Sequence, residues 1–179
     1  MNVAHKLVVP ASLVSSIKSV YAHELDHVLY IADGYAYLFA HGSKQGLVAY
    51  KGAARATSSV LKDIVDNNSA ELTANGVKVI YTVSCYGGLQ DMAVYKGVTM
   101  TSVHNITTAI YVSAVSNGYV TFMSESARNK AVNGVSTYIV ELIIPASVQS
   151  KLAFKVSVLV VVYTFTVLTN VRYISRPPP

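Results

Sequence analysis

Residues 27–42 read HVLYIADGYAYLFAHG, two apolar runs hinged on Asp33-Gly34. Both central positions of a tight hairpin turn need positive φ, and Asp-Gly is among the strongest short signals for it. The dipeptide predicts an antiparallel strand pair here and breaks any helical crossover at that point. The second run ends in His41-Gly42. A later run, VKVIYTVSCYGG (77–88), ends the same way, with Cys85 and Gly87 beyond its apolar residues. The spacing raises the question of whether the two ends meet.

Around these runs the pattern mixes helices with strands. Residues 11–24 predict a helix, with Leu13, Val14, Ile17, Val20 and Tyr21 on one face and Pro10 at its start. The segment 47–50, between Gly46 and Gly52, reads as one arm of a small hairpin. Residues 54–73 predict a second helix, with Val60, Leu61, Ile64 and Val65 sharing a face, interrupted near NNSAE and closed by Asn75-Gly76. The run 77–83 is rich in β-branched residues and nearly continuous in apolarity, as in a strand buried on both faces. Strands follow at 97–103, 108–115, 119–123 and 136–144, with a short helix near 124–132. The expected fold is α/β: a mostly parallel sheet flanked by helices, with an added hairpin and a strand-rich C-terminal half. One domain over 1–179 is expected, with 175–179, SRPPP, as a flexible tail.

Composition narrows the class. At 179 residues the chain can bury a proper core. Apolar residues make up 52% and charged residues 13%, which excludes a disordered chain. The net charge of +5 is spread singly rather than clustered, so no specific nucleic-acid partner is expected. One cysteine excludes an intrachain disulfide and a cysteine-based zinc site. The N-terminal residues lack the apolar core of a signal peptide, so a cytoplasmic protein, or one delivered into a target cell, is expected. The stretch VSVLVVVYTFTVL (156–168) is long enough within 152–171 to span a bilayer. Its Val and Thr content and Lys155 favour a buried strand or strand pair over a membrane anchor.

The strand ends carry the candidate chemistry. Ligands bind at the carboxyl ends of parallel strands. The helix between the two runs is long enough for a crossover, so the runs can lie parallel with His41 and Cys85 at one edge. A thiolate is the nucleophile, and an imidazole can take the thiol proton and later protonate a leaving amine. Gly42 and Gly87 let the backbone turn beside the reacting atoms. Taken singly, each residue has a plain reading: a small buried thiol and a satisfied polar side chain. Their joint placement, with glycine close after both, favours a dyad.

These blocks resemble the caspase-like fold of cysteine peptidases, which includes caspases, metacaspases, separase, gingipains and toxin self-processing domains. The resemblance rests on YLFA before His41-Gly42-Ser43 and VIYTV before Ser84-Cys85-Tyr86-Gly87, and it spans roughly residues 28–91. It implies Cys85 as nucleophile, His41 as general acid/base, and the N–H groups of Gly42 and Cys85 as an oxyanion hole. It implies a peptide or protein substrate and no cofactor or metal. Asp33 and Asp91 fall near the implied substrate pocket and would favour a basic side chain. Val83, Ser84 and Tyr86 depart from the Gln-Ala and Arg that flank the cysteine in caspases. The alternatives are a non-catalytic interaction or structural module, or a toxin or effector domain of another chemistry.

Two further signals stand apart. HELDH (23–27) sets His23 and His27 four residues apart, a spacing that could ligate a metal on a helix, or else form a solvated helix end. His104, in TSVHNIT, reads as a polar turn between strands.

Overall fold

The computed structural model of the chain describes residues 2–32, 34–48, 52–116, 119–143 and 159–162. In chain order the elements are β1 (Asn2–Val8), α1 (Ala11–Tyr21), β2 (His27–Ala32), β3 (Tyr35–Ala40), β4 (Gly42–Ser43), β5 (Gly46–Leu47), α2 (Thr57–Asn67), α3 (Ser69–Ala74) and β6 (Val79–Val83). A single 3-10 turn (Gly87–Leu89) follows, then β7 (Ala93–Tyr95), β8 (Val98–Ser102), β9 (Ile110–Ser116), β10 (Tyr119–Ser124), α4 (Glu125–Val132), β11 (Thr137–Ile143) and β12 (Leu159–Val162). The described residues gather into two compact units, one within 15–109, the other comprising 2–14, 110–143 and 159–162.

The first of these carries both strand ends. Its sheet has the order β2-β3-β6-β8-β7. The β2–β3 hairpin forms as its Asp-Gly signal predicts, with Ala32 opposite Tyr35 and Gly34 at φ +82°. β3 and β6 are parallel neighbours, and β6 and β8 are parallel as well. The edge strand β7 returns antiparallel to β8. β3 is buried at all six positions, because α2 covers one face of a strand already paired on both edges. The apolar face of α2, Val60, Leu61, Ile64 and Val65, joins Ala36, Leu38, Ile80 and Met100 in one core. Burying each of the larger of these side chains contributes roughly 1.5–3 kcal/mol.

The other unit is built on the order β12-β11-β1-β10-β9. Only β1 and β11 run parallel in it. Ala4, Met123, Ala127 and Ile139 form its small core, and α4 is capped by Ser124 Oγ accepting the Ala127 N–H at 3.1 Å. Lys6 and Glu141, opposite each other on β1 and β11, are paired at 3.5 Å. Of the apolar stretch 152–171, only Leu159–Val162 is described; it lies antiparallel to β11. Among the described residues no helix is long and apolar enough to cross a membrane.

The expectation of a mostly parallel sheet flanked by helices is overturned. Both five-stranded sheets are mixed, and antiparallel pairs close each of them. The physical reason lies in the connections. A parallel pair needs a long crossover, which α2 and α3 supply between β3 and β6. At both edges of that sheet the turns are short, and the strands return antiparallel. Lys96 and Gly97, at φ +46° and +77°, form a two-residue turn that folds β7 straight back on β8.

Candidate active site

Parallel pairing of β3 with β6 sets Phe39 opposite Val83. His41 follows the first strand by one residue and Cys85 the second by two, so both lie at the carboxyl edge of the same strand pair. Their backbones are in contact one residue further on. A Cβ added at Gly42 would collide with the Cys85 carbonyl oxygen, so only glycine fits there. The Val48 N–H donates to the His41 carbonyl at 2.6 Å, and Leu47 exchanges both its backbone groups with Arg55. Gly42 and Leu47 are thus a non-hydrogen-bonded pair of the β4–β5 hairpin, and the Gly42 N–H is directed away from β5.

The histidine is held by the end of α1. The Val20 carbonyl lies 2.8 Å from His41 Nε2. A carbonyl only accepts, so Nε2 carries the proton and Nδ1 is the basic nitrogen. This carbonyl belongs to the last turn of a helix, where the macrodipole is negative and favours a developing imidazolium. Tyr21 stands edge-on to His41, ring centroids 6.2 Å apart, and its hydroxyl donates to the Val83 carbonyl at 3.2 Å. Burial, and after it the charge of a Cys85 thiolate, hold the Tyr21 hydroxyl protonated well above its ordinary range.

The turn after Cys85 is braced from behind. Tyr86, at φ +57°, reverses the chain, and its N–H donates to the Thr108 carbonyl at 2.9 Å. The left-handed position therefore falls on Tyr86 rather than on a glycine. Gly87 serves close packing instead: a Cβ there would strike Ser102 Oγ and His104. Its N–H donates to Ser84 O at 3.3 Å. His104, expected in a polar turn, is buried, and its Nδ1 accepts the Ile106 N–H at 3.2 Å. Gln90 completes the surround, with Nε2 reaching Cys85 O at 3.3 Å and Gly46 O at 3.4 Å.

Gln90 also forms one wall of a cleft of about 410 Å³, lined in addition by Lys44, Gly46, Ala56, Asp91 and Ala93. Leu89, Met92 and Val94, all exposed, rim it. Asp91 thus shares a cleft with Gln90, whose amide reaches Cys85 O; Asp33 lies outside the described residues. HELDH does not form a helix face. α1 stops at Tyr21, His23 turns back at φ +63°, and His27 opens β2. Among the described residues no three His, Cys, Asp or Glu side chains gather to hold a metal.

The sequence pattern anticipates that His41, Gly42 and Cys85 lie at the ends of neighbouring parallel strands. It missed the Val20 carbonyl, Tyr21, His23 and Gln90 as parts of the surround. Val20 and Tyr21 fall on the apolar face of α1, which points to core; the Val20 side chain is buried as that face predicts, and it is its backbone oxygen that meets His41. Comparison with protein-family models, with curated proteins and with solved structures returns no match.

Proposed function

We propose that this chain is a cysteine peptidase, or a self-processing peptidase domain, working through a His41–Cys85 dyad. The observation that carries the reading is the 2.8 Å hold of the Val20 carbonyl on His41 Nε2. It supplies the orienting third group that an activated nucleophile requires, and it leaves Nδ1 as the base. In the proposed reaction the Cys85 proton moves to Nδ1 and the thiolate attacks a peptide carbonyl carbon. The N–H groups of Gly42 and Cys85 receive the oxyanion. As the C–N bond breaks, the imidazolium returns its proton to the leaving amine. A thioester remains, and water activated by the same imidazole hydrolyses it. The cleft beyond Gln90 offers room for a substrate side chain. Asp91 shares its lining with Lys44, so the pull of the carboxylate on a basic side chain is opposed.

Alkylation by iodoacetamide tests the reading. Folded protein should label at Cys85 faster than a free thiol, with a pH dependence that follows a histidine and is lost in His41→Ala. A thiol that stays inert until the chain unfolds would exclude catalysis and leave the interaction module.

A further inference from the structure

We propose that His23 is a positioning residue for His41, fixing the plane of its ring as Val20 fixes its reach. The inference rests on the His41–Cys85 reading and adds a residue to it. Two independent observations carry it.

The first is the backbone. Helix α1 closes with paired capping bonds: the Glu24 N–H donates to Ser19 O at 2.8 Å and the His23 N–H to Val20 O at 3.1 Å. This cap requires a left-handed residue at its pivot, which is ordinarily glycine because any Cβ is crowded there. His23 occupies the pivot at φ +63°. Glycine would accept this conformation at lower cost, which directs attention to what the His23 side chain does there.

The second is what that side chain does. The His23 ring stacks on His41, centroids 4.6 Å apart and planes within 13°. The hydrogen bond at Nε2 fixes one point of the imidazole. The plane of the ring is set by the torsion about Cβ–Cγ, which is intrinsically broad for histidine. A ring stacked on its face opposes turning about that torsion, and Tyr21 stands edge-on at 71°. The base nitrogen Nδ1 then keeps one direction. One helix end therefore grips the imidazole by a carbonyl, a phenol edge and a second imidazole.

The test uses the full chain with iodoacetamide as probe and three variants. His23→Gly suits the cap, so it should melt no lower than the wild type. We expect it to slow Cys85 alkylation about tenfold, the scale of a small misplacement of a catalytic group. The Cε1 proton of His41 should lose its ring-current shift in the NMR spectrum. His23→Phe restores a stacking ring and should recover most of the rate and the shift. A His23→Gly protein with wild-type alkylation, while His41→Ala is slow, overturns the role of His23 and leaves the dyad standing. A folded His23→Phe protein as slow as His23→Gly also overturns it, because the ring face is then not the cause. If His41→Ala alkylates like the wild type, the dyad falls and His23 with it.

Discussion

Single atoms around Cys85 show how tightly the turn is specified. Ser84 sits between the strand and Cys85, fully buried, and among the described residues its Oγ has no hydrogen-bond partner. A buried hydroxyl without a partner carries a desolvation penalty of about 1–3 kcal/mol. Ser84→Ala removes the hydroxyl and little volume, so it should raise the stability of the chain by about 1 kcal/mol in urea titration. A loss of stability would show that the hydroxyl has a partner in solution. Gly42 is constrained in another way, by the Cys85 carbonyl that leaves no space for a Cβ. His41 and Cys85 were legible from sequence because each is a reactive side chain at the end of an apolar run. The Val20 carbonyl was not, because a backbone oxygen has no sequence signature. His23 was visible only as half of a metal-like spacing, since nothing in HELDH signals that its backbone turns left-handed.

Elements explain which parts of the fold could be read in advance. The α2 face and the β6 run were legible because apolar period and Asn-Gly punctuation agree. Leu61 lies at the centre of that packing, fully buried among the α2, β3 and β6 side chains. Leu61→Ala should cost about 2–5 kcal/mol in the midpoint of chemical unfolding. A cost below 1 kcal/mol would mean that α2 does not pack on the sheet as described. β7 escaped the sequence reading because it has three residues and its turn places Lys96, not Gly or Asn, at the first positive φ. β1 escaped because His5 and Lys6 interrupt its apolar pattern. Their compensation comes from residues distant in sequence: Phe122 stacks on His5 at 5.1 Å, and Glu141 pairs with Lys6. The mixed character of the first sheet comes from the Asp-Gly hairpin at one edge, which the sequence signals, and from β7 at the other, which it does not.

At the scale of the whole molecule, the same half-hidden histidine sets a pH limit. Burial lowers His5 from its ordinary 6.5 to about 4. Between those values the unfolded chain binds a proton that the native chain does not. Stability therefore falls as pH drops through that window, by at most about 1.4 kcal/mol per pH unit. Asp66, held down to about 2 by hydrogen bonds from Lys62 and then Lys96, titrates below the window and does not mask it. Urea titrations between pH 4 and 7 should show the slope in the wild type and a flatter one in His5→Phe. Equal slopes would remove His5 as the source. A different dependence follows from the single oxygen of Val20, which accepts both the closing bond of α1 and the imidazole of His41. In the proposed dyad, fraying of that one helical turn would also release the imidazole. The readiness of a thiol at residue 85 would then be metered by how firmly the chain is wound before residue 24.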